Sequence, residues 1–320
     1  MTPFKKSSTS ETANVLPAPE KQKNVLRAPA ASWRVIDPEE EEFIPTVNIG
    51  FMGLPGTGKT KFLADLIEAG AKIFTINTDP GMVGEETILA QCIKNGTKDK
   101  FTKNFRGIRL STYDLVNEFF ENPLKFYPKL YDYAPDFLVW EGFANWQQTK
   151  LSEKVSELYV EEVEQSKSNS KVISETRSEG FKYETQDWGK IRNGTVNGIE
   201  DFLMMKNAVT GKLFHHILTM HEAVETISVK TEGGLAKSEE KASGRPAVQG
   251  AGKNFLGGGF SLILRTVRDG DKFFYENSTK TLGLTKNRGI DLPSGKFPAE
   301  PMKIVEAIEK SYGITLFERS

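Results

Sequence analysis

Eight consecutive residues limit what this chain can fold into more than any others: Gly53-Leu54-Pro55-Gly56-Thr57-Gly58-Lys59-Thr60. They fit the pattern G-x-x-x-x-G-K-[ST], whose glycines let backbone N–H groups turn inward around phosphate oxygens. That pattern needs a strand before it and a helix after it, and both are legible. Thr46-Val47-Asn48-Ile49-Gly50-Phe51-Met52 is apolar enough for a buried strand, and Phe62, Leu63, Leu66 and Ile67 recur at helical spacing. The start of the helix adds partial positive charge behind the loop. Lys59 would reach the β- and γ-phosphates of a nucleotide, and the Thr60 hydroxyl would ligate Mg²⁺. Gly53, Pro55, Gly56, Thr57, Gly58, Lys59 and Thr60 are therefore the candidate nucleotide-binding residues.

Composition narrows the rest. The 320 residues allow one large or two small domains. With 42 basic and 43 acidic side chains, overall charge does not announce nucleic acid, so any basic surface must be local. A single cysteine, Cys92, excludes a disulfide framework and a cysteine-rich zinc site. No apolar run approaches a membrane span and no signal-peptide core is visible, so the expectation is a soluble, cytoplasmic protein without a membrane partner.

Residues 1–45 differ from the remainder of the chain. They hold six of the 15 prolines and end in the acidic run Glu39-Glu40-Glu41-Glu42, a composition with too little apolar surface to offset ordering entropy. The segment reads as a disordered tail or a partner-binding arm, with Trp33, Val35 and Ile36 as possible anchors. From residue 46 strands and helices alternate. Strands are expected over 71–77, 105–110, 137–140, 212–220 and 260–267, with one more at 281–285. Helices are expected after the phosphate loop, through about Asn95, and from Ser111 or Thr112 to Phe120. Residues 145–192 read as a polar, mobile insertion with some helix, giving way to helical spacing from Val196. Residues 223–258 read as a second loop rich in Gly, Lys and Ser. Arg268-Asp269-Gly270-Asp271 is a hairpin turn signal. A helix closes the chain over 299–312, within a C-terminal segment 299–320. This is the pattern of an α/β core over 46–298, with a mostly parallel central sheet flanked by helices and a C-terminal β-hairpin.

Ligands of such sheets bind beyond the carboxyl ends of the strands, which draws attention to Asp79, Glu141 and His221. Glu141 follows four apolar strand residues, where the Mg²⁺-holding acid of a phosphate-loop enzyme sits. The plainer reading is an exposed strand-end carboxylate. Asp79 would polarise the attacking water, or is only a turn residue in Thr78-Asp79-Pro80-Gly81. His221 would touch the γ-phosphate, or is only a satisfied polar residue at a strand end.

At these residues the chain resembles the RecA-like ATPase core, and more narrowly the phage-encoded RecA-like ATPases, some of which are single-strand annealing recombinases. The likeness covers about residues 46–293. Ile76-Asn77-Thr78-Asp79 is similar to the strand end that carries the catalytic acid, with Asp for the usual Glu. Phe137-Leu138-Val139-Trp140-Glu141 is similar to the Walker B strand, with Glu for Asp. Leu218-Thr219-Met220-His221 resembles the γ-phosphate sensor strand. The glycine-rich stretch before Phe260 resembles a DNA-binding loop. Thr285-Lys286-Asn287-Arg288 resembles a basic motif set across a subunit interface onto the neighbour's nucleotide. The resemblance implies an ATPase using ATP and Mg²⁺, with Lys59, Asp79, Glu141 and His221 catalytic and Thr60 and Glu141 on the metal. It also implies head-to-tail homo-oligomers with Lys286 and Arg288 acting in trans, and single-stranded DNA as partner in phage recombination, annealing or replication. The DNA candidates are Lys150, Lys171, Arg177, Lys182, Lys190 and Arg192 with Tyr183 and Trp188, then Lys237, Lys241, Arg245 and Lys253. Alternatives stay open: an ATPase that loads or remodels a protein partner, or a nucleotide-gated structural protein with little turnover.

Overall fold

The computed structural model describes residues 45–81, 83–165, 185–207, 214–230, 236–248, 252–277 and 285–319. Six strands form its parallel centre: β1 (Asn48–Gly53), β2 (Ile73–Asn77), β3 (Phe105–Arg109), β4 (Phe137–Glu141), β5 (His215–Lys230) and β7 (Leu262–Asp269). Their spatial order is β7-β1-β5-β4-β2-β3, all parallel. Antiparallel strands extend the β7 side: β8 (Lys272–Asn277) pairs β7, and β10 (Gly295–Pro298) pairs β8. β6 (Ala236–Pro246) pairs β5, and the two-residue β9 (Lys286–Asn287) pairs β7.

β1, β2 and β4 are buried almost throughout, which is why they read as continuous apolar runs rather than alternating ones. Alternate side chains feed two cores. One lies under α1 (Lys59–Ala69) and the C-terminal helix (Pro301–Tyr312), with Phe51, Phe62, Leu66, Ile304 and Ile308. The other holds Phe74, Phe119, Trp140, Trp146, Phe202 and Leu218. The expected cap of the helix Tyr113–Glu121 is present: Thr112 accepts a hydrogen bond from the Leu115 N–H at 3.2 Å. The turn over 268–271 is also present, with Gly270 at φ 60° between β7 and β8.

Two expectations are corrected, and a third falls almost wholly outside the described residues. First, the stretch 145–192 is not a polar appendage. A π-helical turn (Trp146–Leu151), the helix Ser152–Gln165 and the helix Thr185–Leu203 build part of the core, with Trp146, Leu151, Val155 and Ile191 buried. Gly194 and Gly198 allow the close fit, since a Cβ there would lie 2.7 Å from Leu151 Cδ1 and 2.6 Å from Trp146 Cη2. The polar outer face hid this buried stripe. Residues 166–184 lie outside the described residues.

Second, β5 does not stop at His221. It runs to Lys230 and pairs β6, so much of the expected loop 223–258 is a two-stranded ribbon followed by the helix Gly252–Gly259. The β-branched Val224, Thr226, Ile227 and Val229 favour that extended form despite the glycine-rich surroundings. Third, residues 281–284 of the expected strand at 281–285 lie outside the described residues, and the described chain resumes at Thr285 and enters the two-residue β9. β10 went unread, because its Gly-Lys-Phe-Pro sequence carries little strand signal.

Candidate nucleotide site

The register of the sheet assembles the site. β5 lies between β1 and β4, and His221 is opposite Gly53, the first residue of the loop. Asn77 is opposite Glu141 on the next strand pair. The loop, Asp79, Glu141 and His221 therefore share the carboxyl edge of the sheet, as expected of that edge.

The loop turns into α1 through Gly58, the helix N-cap, at φ 95°, a left-handed conformation that favours glycine. No side-chain hydrogen bond caps this end, which leaves the N–H groups of the first turn without a side-chain acceptor, as an anion site at a helix start requires. A Cβ on Gly58 would also lie 2.8 Å from Phe273 of the β8 strand. Thr57 steadies the loop from inside, donating to Leu54 O at 2.7 Å and sharing a 2.7 Å hydroxyl bond with Thr266. Lys59 Nζ donates to the carbonyls of Gly53 and Leu54 at 2.8 and 2.9 Å. Burial brings the Lys59 ammonium down to about 8, against the pull of Asp79, Glu141 and Glu222.

Glu141 is 4% exposed. Burial, then the neighbouring Glu85 and Asp79, push its carboxyl up to about 8, while a hydrogen bond from Thr60 and the charge of Lys59 oppose the shift. Its Oε2 is buried and has no hydrogen-bond partner among the described residues. Gly84 makes room for it: a Cβ there would lie 2.4 Å from that oxygen. A hydroxyl, a buried carboxylate and one orphaned oxygen suit a Mg²⁺ that keeps most of its waters. Thr60 and Glu141 are the residues that would hold the ion. Among the described residues no cluster of three or more His, Cys, Asp or Glu forms a chelating site, so an all-protein metal cage is not built here.

Asp79 stands in the turn after β2. Burial raises its carboxyl above the usual range, opposed by His221 and Lys59. Gly142, at φ 78°, permits its approach: a Cβ there would fall 2.6 Å from Asp79 Cγ. His221 is held neutral by burial and by Lys59, with Asp79 opposing, and its Nδ1 is buried without a partner among the described residues.

Residues that were not among the candidate site residues complete the site. Glu85 is buried and accepts from Asn77 Nδ2 at 2.9 and 2.7 Å. Thr78 ties β2 to β4 through Glu141 O, by backbone N–H and by hydroxyl, both at 3.0 Å. Asn145 donates to Thr78 O at 2.6 Å. Glu222, one residue past His221, is bound by Arg265 at 2.9–3.0 Å and by the Gly244 N–H at 2.5 Å, which fixes the root of the β5–β6 ribbon. Glu85 was readable only as a helix-start acid, and Glu222 only as the residue where a strand ends.

The other candidates fall elsewhere. Lys286 is opposite Ile263, which is level with Gly50, three residues before the loop. Lys286 donates to Gly257 O and Arg288 to Gly258 O, so neither reaches the phosphate loop of its own chain. Of the DNA candidates, Lys150 pairs with Glu153 at 3.5 Å, and Lys241 is opposite Glu225 in the ribbon. Arg192 is exposed, Lys190 half-buried, Trp188 exposed, and Arg245 half-buried near the ribbon root. Lys171, Arg177, Lys182 and Tyr183 lie outside the described residues, as do the side chains of Lys237 and Lys253. No helix among the described residues is long and apolar enough to cross a membrane.

The class that fold and site define is an α/β protein with a mostly parallel sheet and a glycine-rich G-x-x-x-x-G-K-[ST] loop at its carboxyl edge. No protein-family profile matches the chain, and no curated protein is significantly similar to it.

Proposed function

We propose that this protein binds and hydrolyses ATP with a RecA-like core. The observation that carries the reading is the meeting of Lys59, Thr60, Asp79, Glu141 and His221 around one loop whose helix start lacks a side-chain cap. The N–H groups of the loop and the Lys59 ammonium hold the β- and γ-phosphates. Thr60 and Glu141 are the residues that would hold Mg²⁺, which when bound would supply neutralisation of the phosphate charge. Asp79, its carboxyl raised above the usual carboxylate range by burial, orients and deprotonates the attacking water. His221, neutral and with Nδ1 unpaired among the described residues, donates to a γ-phosphate oxygen in the tautomer that carries its proton on Nδ1.

The larger reading is a cytoplasmic, head-to-tail oligomer acting on single-stranded DNA in phage recombination, annealing or replication. The nucleotide sensor lies on the same strand as the exposed ribbon, so what the ribbon touches would feel the nucleotide state. One observation favours a protein partner instead: Lys150 and Lys241 are matched by neighbouring acids rather than massed as a cationic groove. Fluorescence anisotropy with a labelled oligonucleotide decides between them. DNA binding that strengthens with a non-hydrolysable ATP analogue and weakens with salt is expected. No binding at low salt, with nucleotide bound, would remove DNA and leave the loader or remodelling reading.

A further inference from the structure

Glu85 belongs to neither the loop nor the groups just given chemical roles, yet it is buried beside them. It stands in the first turn of the helix Val83–Lys94, which comes after the turn that carries Asp79. Its two oxygens both accept from Asn77 Nδ2, at 2.9 and 2.7 Å. The other end of the same amide, Asn77 Oδ1, accepts the Asp79 N–H at 2.8 Å. The amide orientation is fixed by its partners: a backbone N–H must meet the oxygen and a carboxylate must meet the nitrogen. A continuous chain thus runs Glu85–Asn77–Asp79 and closes the turn 77–85 from inside.

Such closure is costly in a buried, acidic place. Glu85 adds negative charge beside Glu141, and Glu141 sits higher for it. A turn of Thr-Asp-Pro-Gly needs no buried acid to form. What the acid adds is one setting of the Asn77 amide, and with it one setting of the Asp79 backbone. We infer that Glu85 is a positioning residue, which through Asn77 holds Asp79 where it can act on the water at the γ-phosphate. This rests on the hydrolytic reading above and extends it to a residue that touches neither nucleotide nor water.

Four variants, three single and one double, separate positioning from charge. Glu85→Ala removes the acceptor. Glu85→Gln keeps one acceptor oxygen and removes the charge. Asn77→Asp keeps the oxygen facing Asp79 but sets a carboxylate against Glu85, and adding Glu85→Gln lets the new amide donate across the same gap. Steady-state phosphate release is expected to fall about 10- to 100-fold in kcat for Glu85→Ala and for Asn77→Asp, the scale of a misplaced catalytic group. The KM for ATP should stay within about two-fold, because the phosphate cradle is untouched. Glu85→Gln should remain near wild type, and Asn77→Asp with Glu85→Gln should recover most of the loss. Thermal melts and Mg·ADP titration accompany each variant, so that a fold defect shows itself separately. Wild-type kcat in Glu85→Ala overturns the inference, as does a Glu85→Gln protein as slow as Glu85→Ala. If wild type binds Mg·ATP but releases no phosphate, the hydrolytic reading fails, and this one with it.

Discussion

Lys59 carries the largest single consequence at the residue scale, since its ammonium sits at the loop and burial already weakens its charge. Lys59→Ala should weaken Mg·ATP binding by at least about ten-fold, about 1.4 kcal/mol, as measured by calorimetry. Glu141 makes the opposite kind of prediction. Its folded carboxyl lies near 8 against an ordinary 4.5, so folding favours the protonated form. That stabilisation is complete below about pH 4.5 and is lost as pH climbs toward and past 8. Glu141→Gln should therefore melt with wild type at pH 4.5 and above it at pH 8, by on the order of 2 kcal/mol without metal or nucleotide. The same variant should lose phosphate release. His215 and His216 tilt stability the other way. Burial holds them down at about 4 and about 3, so the unfolded chain takes up protons that the fold refuses. Stability should be full above pH 6.5 and fall by about 1.4 kcal/mol per pH unit per histidine as pH drops toward 4. A denaturation series from pH 7.5 to 4.5 reads this directly, and His216→Gln should flatten the curve.

The elements show what a sequence can and cannot disclose. The loop, the apolar strands β1, β2 and β4, and the Thr112 cap were readable because each is a local pattern. Asp79 and Glu141 were readable at strand ends, while His221 lies within β5, which runs on to Lys230, and the sheet register brings all three to one edge. Glu85 was not, because its partner Asn77 is reached only when the turn folds back. The helices after Glu141 were underread for a related reason. Their buried stripe is made of Trp146, Leu151 and Ile191 across two helices, and its closeness depends on two glycines that look like breakers in one dimension. Gly198→Leu should accordingly lower the melting temperature, by about 1–3 kcal/mol in stability, since its Cβ lands 2.6 Å from Trp146. Gly258→Ala, with open space around its Cβ, is the control and should change little.

For the whole molecule, position along the strands matters most. Lys286 and Arg288 hold carbonyls of the helix Gly252–Gly259 and sit level with the start of β1, away from the loop at its end. Any role at a nucleotide is therefore in trans. Specific activity should rise with protein concentration, and Arg288→Ala should flatten that rise while leaving Mg·ATP binding intact. Single-subunit activity independent of concentration would argue for a monomeric enzyme. The most direct test of the account is phosphate release from Mg·ATP by purified wild type beside Lys59→Ala. The account predicts steady turnover that the substitution lowers at least about 100-fold, the scale of losing one charged contact to the transferring group. Equal release by both proteins, or none from a wild type saturated with Mg·ATP, would contradict it.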